Sequence, residues 1–121
     1  MSHAKTPARV LMFATGFMAL ATLMWAPQAA RAADETEITI SIKDHKFDPA
    51  EVKVPAGKAI KLTVKNLDAT AEEFESKPLK VEKVIAGKAE AVIRLKPLTK
   101  GSYKFFGEYH EKTAQGVLIA E

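Results

Sequence analysis

Apolar and polar residues alternate along most of the chain from residue 37 onward. In residues 37–43 isoleucine occupies every second position, and residues 60–65 repeat the pattern with Ile60, Leu62 and Val64. Side chains of a β-strand point alternately to its two faces, so this spacing predicts half-buried strands. Similar segments cover residues 52–54, 81–85, 89–95, 103–106 and 116–120. No window carries the sustained stripe that an amphipathic helix needs.

Turn-forming residues separate these segments. Pro55-Ala56-Gly57 suits a type II turn, and Ala86-Gly87-Lys88 and residues 97–101 interrupt the later segments. About seven or eight short strands, each with one apolar face, bury those faces best in two antiparallel sheets packed together. The sequence therefore predicts an all-β sandwich.

The first 32 residues follow a different pattern. Lys5 and Arg9 precede an apolar run over residues 10–25, and Ala30-Arg31-Ala32 fits the small-x-small rule for cleavage. The run is shorter than the roughly 20 apolar residues that span a bilayer, which disfavours the alternative of an uncleaved anchor. We expect residues 1–32 to be a signal peptide. Residues 33–121 would then form one periplasmic domain that does not insert into the membrane once the leader is removed.

The net charge and the composition of the chain differ once residues 1–32 are left out. The chain has 18 basic and 15 acidic residues, and Lys5, Arg9 and Arg31 account for the whole excess. The remaining domain has no net charge, which argues against nucleic-acid binding. It also has no Cys, Met or Trp, so disulfides, iron–sulfur clusters and sulfur ligands are excluded. Its only histidines are His45 and His110.

Two long patterns carry a family resemblance. The first runs Phe47-x-Pro49-x-x-Val52-x-Val54-x-x-Gly57-x-x-Ile60-x-Leu62-x-Val64-x-Asn66-x-Asp68, and the second runs Pro97-x-x-x-Gly101-x-Tyr103-x-Phe105-Phe106-Gly107. Together they resemble the two halves of a cupredoxin, the Greek-key β-sandwich of the blue copper proteins. The resemblance implies a cupredoxin-like fold for nearly all of residues 33–121.

The ligands of a blue copper site are incomplete. Such a site needs one Cys and two His, usually with an axial Met. Where the family pattern ends in Cys-x-x-His-x-x-x-x-Met, this chain has Gly107, His110 and Gln115. Glu72 stands about where the other histidine ligand is expected. Without a thiolate we exclude blue copper and electron transfer through a type 1 site.

A closer resemblance is to the EfeO-type cupredoxin-like domain of periplasmic bacterial iron-uptake systems. It rests on Asp44-His45-Lys46-Phe47-Asp48-Pro49, on residues 71–76 and on residues 105–110. Cysteines that some members carry near Phe47 and Phe106 are absent here. The resemblance implies the handling of iron or copper beside an inner-membrane iron permease system.

Two segments that meet at one end of a cupredoxin sandwich carry the candidate ligands: Glu72, Glu73, Glu75, Glu108 and His110. Several carboxylates with one imidazole suit Fe(III), Mn(II) or Ca(II), and also Cu(II) or Zn(II). We therefore expect a transition-metal ion, Cu(II) or Fe(III), at these residues. The alternative is a solvated acidic loop that pairs with Lys77, Lys80, Lys83 and Lys112. We expect His45 to be a structural or surface residue.

The leading hypothesis is a periplasmic metal-binding protein of cupredoxin fold that assists iron or copper transport. A metal-free protein-interaction module on a degenerate scaffold is the main alternative. A weaker one is redox assistance to iron uptake through a non-blue copper centre. We do not expect an enzyme, because the sequence has neither a nucleophile-elbow serine nor a phosphate-binding glycine loop.

Overall fold

A computed structural model describes residues 35–121, and the predicted signal peptide lies outside them. This part of the chain contains one 3₁₀ turn, Glu108–His110, and nine strands. The strands are β1 (Thr36–Lys43), β2 (Lys46–Asp48), β3 (Glu51–Val54), β4 (Ile60–Asn66), β5 (Glu72–Ser76), β6 (Val81–Ile85), β7 (Glu90–Leu95), β8 (Gly101–Gly107) and β9 (Gln115–Ala120). Over the same residues, no helix is long and apolar enough to cross a membrane.

The strands form two mixed sheets. One has the order β2-β1-β4-β7, and the other has the order β3-β9-β8-β5-β6. The predicted all-β sandwich is confirmed, but the described residues hold nine strands, and the pairs β1–β4 and β3–β9 are parallel. Hydrophobic alternation specifies which face of a strand is buried, not the direction of its neighbour. The expectation of purely antiparallel sheets was wrong for that reason.

The core lies between the two sheets and is centred on three phenylalanines. The rings of Phe47 and Phe105 meet edge to face with centroids 5.0 Å apart, and Phe74 stacks on Phe105 at 5.1 Å. Aromatic pairs of this kind add about 0.5–1.5 kcal/mol beyond the area that they bury. Phe74 is fully buried, so it anchors the acidic segment to the core.

The acidic segment itself is a strand, although the sequence indicated a ligand-bearing loop. Strand β5 pairs with β6 on one side and with β8 on the other. Side chains alternate between the faces of a strand, so Glu72 lies on the same face as Phe74, whereas Glu73 and Glu75 lie on the opposite face. This alternation determines the arrangement of all the candidate ligands.

The anchoring role of Phe74 can be tested by truncation. We expect Phe74→Ala to lower the free energy of unfolding by about 3–5 kcal/mol, because it removes a fully buried ring. Val92 is 50% exposed, so Val92→Ala should change stability by no more than about 0.5 kcal/mol. Urea denaturation of the two variants makes the comparison. Equal effects would contradict the packing described here.

Candidate metal centre

Glu72 places a carboxylate inside the sandwich, where only 1% of the residue is exposed. Its Oε1 accepts hydrogen bonds from the backbone N–H groups of Glu73 at 3.0 Å and Tyr109 at 2.9 Å. Its Oε2 lies 2.6 Å from Nδ1 of His110. A buried carboxylate needs such partners, because leaving it unpaired costs several kcal/mol. The carboxylate therefore joins β5 to the 3₁₀ turn that follows β8.

Gly107 provides the space for this carboxylate. A Cβ at position 107 would lie 2.6 Å from Cδ of Glu72, 2.8 Å from its Oε1 and 2.7 Å from Cβ of Ala114. The backbone of Gly107 has φ −93° and ψ 110°, which any residue can adopt, so the requirement is room and not conformation. Position 107 is also where the resemblance places the copper-binding cysteine. The absence of a side chain at position 107 and the presence of Glu72 are therefore structurally coupled.

His110 ends the 3₁₀ turn, with 29% of its side chain exposed. The loop that holds it is closed by backbone hydrogen bonds from Ala114 N–H to His110 O at 2.8 Å and from Gly107 N–H to Ala114 O at 2.9 Å. Gln115, at the position of the axial methionine, donates its side-chain amide to Glu111 O at 3.0 Å. Its side chain thus supports the loop.

His45 belongs to the same group of side chains, although the sequence suggested a structural or surface role. Its ring stacks on that of His110, with centroids 3.5 Å apart and planes 13° from parallel. It lies in the two-residue turn between β1 and β2, where Asp44 and His45 have φ of 52° and 59°. Positive φ at both positions is the signature of a type I′ hairpin turn.

Asp68 holds this turn in place. Its carboxylate accepts hydrogen bonds from the backbone N–H groups of Asp44 at 2.8 Å and His45 at 3.0 Å. The hydrogen bond from the His45 backbone is the main cause that lowers the pKa of Asp68. Asp68 N–H in turn donates to Asn66 Oδ1 at 3.1 Å. The Asn-x-Asp pattern, visible in the sequence but given no role there, therefore positions His45.

His45, Glu72 and His110 form a compact donor set, which we call the inner centre. Each offers one ligand atom, and these atoms lie within 4.8 Å of one another. His45 Nδ1 is buried and has no hydrogen-bond partner in residues 35–121. Its 3.5 Å contact with Asp68 Oδ2 does not meet hydrogen-bond geometry. The inner centre therefore offers two imidazole nitrogens, one of them unpartnered, and one carboxylate oxygen. Because a metal ion lies in the plane of each imidazole that binds it and the two rings are stacked, one ring has to turn before both can hold the same ion.

The other three predicted ligands lie in a second group. Glu73, Glu75 and Glu108 join Glu82 of β6 in what we call the outer cluster, again with ligand atoms within 4.8 Å of one another. The five residues expected to form one site are thus divided between two groups. The cause is the alternation along β5, which sends Glu72 to one face and its two acidic neighbours to the other.

Contacts between carboxyl groups raise the pKa values of two glutamates in the outer cluster. The pKa of Glu73 is raised from 4.5 to about 7. The main cause is a hydrogen bond between its carboxyl group and that of Glu82, and burial and the charge of Glu108 add to it. Glu108 is the main cause that raises the pKa of Glu75. The ion pairs of the described residues include none between these glutamates and Lys77, Lys80, Lys83 or Lys112.

Comparison with known proteins agrees with this architecture. The family model for the cupredoxin-like domain matches residues 16–120. The chain belongs to the cupredoxin-like domain family. It is also 47% identical over 83 residues to an uncharacterised protein of Rickettsia prowazekii (strain Madrid E). That alignment covers 69% of this chain and 66% of the relative, slightly under two thirds of the relative's length.

Solved structures support the cupredoxin fold. Auracyanin A, a blue copper protein of Chloroflexus aurantiacus, aligns with a TM-score of 0.63 and 16% identity, covering 72% of this chain and 99% of its own. The metal-binding domain of the Cu(I)-exporting P-type ATPase of Streptococcus pneumoniae D39 aligns with a TM-score of 0.62 and 19% identity. That alignment covers 73% of this chain and 87% of the ATPase domain. Amicyanin of Paracoccus versutus aligns with a TM-score of 0.55 and 16% identity. That alignment covers 70% of this chain and 81% of amicyanin. At such identities the likeness establishes the fold.

The coupling between Gly107 and Glu72 predicts the effect of adding one methyl group. We expect Gly107→Ala to lower the free energy of unfolding by about 1–3 kcal/mol, because the Cβ overlaps the buried carboxylate. Glu72→Ala in the same chain should make the cost of Gly107→Ala smaller, since the overlapping group is gone. A double-mutant cycle in urea measures the coupling. Strict additivity of the two substitutions would contradict it.

The raised pKa of Glu73 predicts a pH dependence of stability. The folded protein retains a proton that the unfolded chain has lost, so stability should fall as pH rises from 4.5 to about 7. We expect Glu73→Gln to make the decline between pH 5 and pH 8 shallower. Urea denaturation with chelator present measures it, with Glu90→Gln on the other sheet as control. A profile unchanged by Glu73→Gln would refute the assignment.

Proposed function

We propose that this protein binds a transition-metal ion, Cu(II) in the first place, at the inner centre. The observation that carries the proposal is the convergence of two imidazoles and one buried carboxylate, with ligand atoms within 4.8 Å of one another. The unpartnered, buried Nδ1 of His45 supports it, because a polar atom in that position normally has a partner.

The donor set has ligands that suit Cu(II), but it lacks the thiolate of a blue copper site. Imidazole and carboxylate are common Cu(II) ligands, and Cu(II) binds tightest among the divalent first-row ions. The chain has no cysteine, so the thiolate of a blue site is missing. A bound ion would supply a positive charge beside the Glu72 carboxylate.

The surrounding residues prepare the centre for an ion. Asp68 holds the backbone of the turn that carries His45. Two backbone N–H groups hold Glu72 Oε1, which leaves Oε2 directed at His110. Side chains fixed in this way lose little freedom on binding, which favours affinity.

The comparisons give this proposal a chemical context. Two structural neighbours are copper proteins: auracyanin A is a blue copper protein, and the ATPase domain is known with Cu(I). A shared fold supports copper as the first ion to test here.

We further propose that the protein acts in the periplasm and assists iron or copper transport beside an inner-membrane permease. The support is the leader pattern of residues 1–32 together with the EfeO-type resemblance of residues 44–49, 71–76 and 105–110. The permease would be the partner protein. The protein would hold the ion at its inner centre or deliver it to that permease.

Copper titration of the purified protein tests the inner centre. We expect His110→Ala and His45→Ala each to weaken Cu(II) binding by at least about tenfold, as the loss of even an outer partner of a metal site commonly does. Tyr109→Phe is the matched control, because Tyr109 is half exposed and contributes only its backbone N–H to Glu72. Calorimetry gives the affinities. Electron paramagnetic resonance should show nitrogen coupling to the copper.

Two results would contradict the proposal. One is the lack of any Cu(II) binding tighter than about 0.1 mM. The other is binding that the two histidine variants leave unchanged. The first result would leave the metal-free interaction module, under which chelator does not alter the melting temperature. The second would place the copper away from the inner centre.

A further inference from the structure

Two turns that both begin Lys-Pro-Leu lie at the end of the sandwich away from the inner centre. Residues 77–80, Lys-Pro-Leu-Lys, join β5 to β6, and residues 96–100, Lys-Pro-Leu-Thr-Lys, join β7 to β8. Both turns line one groove of about 390 Å³. Leu79 and Leu98, which also line it, are partly buried against the core. The groove is therefore apolar along its sides and carries lysine at its edges.

Every charged residue in the three loops of this end is a lysine. The loops cover residues 55–59, 77–80 and 96–100, and the first is joined to the third by a hydrogen bond from Gly57 N–H to Leu98 O at 2.9 Å. We call their lysines the lysine end: Lys58, Lys77, Lys80, Lys96 and Lys100. Among residues 35–121, none of the five has a carboxylate oxygen within 4.0 Å.

The two ends of the sandwich differ in charge. The loops around the inner centre carry four acids and two lysines, namely Asp44, Asp68, Glu108, Glu111, Lys88 and Lys112. Three acids border the lysine end: Glu35 pairs with Arg94, Glu82 belongs to the outer cluster, and Glu121 is exposed. A domain without net charge thus presents a positive surface at one end.

Lys80 occupies a backbone conformation that favours glycine. Its φ is 55°, in the left-handed region where a side chain causes steric strain and glycine does not. Lys88 has a similar φ of 60°, but its Nζ donates a hydrogen bond to Leu67 O. In residues 35–121 the Nζ of Lys80 has no ion-pair partner. Strain of this kind is often kept where a side chain has a function.

The chemistry of the lysine end fits an anionic lipid surface better than a folded protein. Protein–protein interfaces are enriched in arginine and aromatic residues and depleted in lysine. Flexible ammonium groups do attract a layer of anionic headgroups, and each lysine near such a surface strengthens binding about fivefold. Five lysines on three loops of one end can reach the same surface together, with Leu79 and Leu98 between them for apolar contact.

We propose that the lysine end docks the protein onto a membrane surface that contains anionic phospholipid. The docked protein would direct the inner centre away from the bilayer, because the two lie at opposite ends of the sandwich. The proposal uses no ligand of the inner centre, so it and the proposed copper function can fail separately.

Vesicle co-sedimentation tests the docking surface. Residues 33–121 contain all nine strands and lack the apolar run of residues 10–25, which could bind lipid by itself. We expect them to bind vesicles of mixed phosphatidylglycerol and phosphatidylcholine, but not vesicles of phosphatidylcholine alone. Raising the salt from about 0.1 M to about 1 M, which shortens the screening length from about 10 Å to about 3 Å, should release the protein.

Charge-matched variants locate the contact. Lys80→Gln/Lys96→Gln should weaken binding to the mixed vesicles by at least about tenfold. Lys43→Gln/Lys46→Gln removes two exposed lysines beside the turn at the other end and should bind as the wild type does. His110→Ala should also bind vesicles normally, whatever its effect on copper.

Fluorescence gives a second readout that reports orientation. Residues 33–121 contain no tryptophan, so one introduced tryptophan reports one position. Mixed vesicles should shift the emission of Thr99→Trp, at the lysine end, to shorter wavelength as the ring leaves water. They should leave the emission of Tyr109→Trp, beside the inner centre, unchanged.

Three results would overturn the proposal. One is no binding to the mixed vesicles, which would leave an acidic protein as the partner of the lysine end. Another is equal loss of binding in the two lysine-pair variants. The last is an emission shift in Tyr109→Trp with none in Thr99→Trp, which would place the other end on the lipid.

Discussion

The buried carboxylate of Glu72 is the constraint on which the site end of the sandwich depends. It is 1% exposed and held by two backbone N–H groups and the His110 ring, so it joins β5 to the loop after β8. It fits only because position 107 has no side chain. A blue copper protein needs a cysteine thiolate, and the resemblance puts that residue at position 107. With glycine at position 107, a carboxylate lies beside the position where the resemblance places a thiolate, and the fold is kept.

Strand β5 then divides the chemistry between two faces. Its inward face contributes Glu72, which meets the stacked imidazoles of His45 and His110. Its outward face contributes Glu73 and Glu75, which meet Glu82 and Glu108. Phe74 lies in the core between them and fixes the register. A shift of one residue would exchange the two faces, so the same packing that stabilises the sheet also separates the two donor sets.

Much of the fold could be predicted because strand alternation is local. Ile40 and Ile42 of β1 and the Ile60, Leu62 and Val64 series of β4 lie in the core as expected, and Ile38 packs against it partly buried. Glu72 and His110 were recognisable as candidates from the family pattern. The role of His45 was not, because it depends on a positive-φ turn that Asp68 stabilises from 23 residues away. Alternation already indicated that Glu73 and Glu75 share a face, but the sequence left open which of the three glutamates turns toward His110. That depends on the pairing of residues 72–76 with β6 and β8.

We propose that a carboxylate and two imidazoles, in place of a thiolate, hold a metal ion in this cupredoxin-like protein. Anomalous diffraction at the copper absorption edge, from crystals soaked in Cu(II), can locate that ion. We expect a peak in contact with Glu72 Oε2, a ring nitrogen of His110 and a ring nitrogen of His45. A copper peak confined to the outer cluster, or a copper-soaked crystal in which the Glu72–His110 contact persists with no peak beside it, would show that the inner centre does not bind copper.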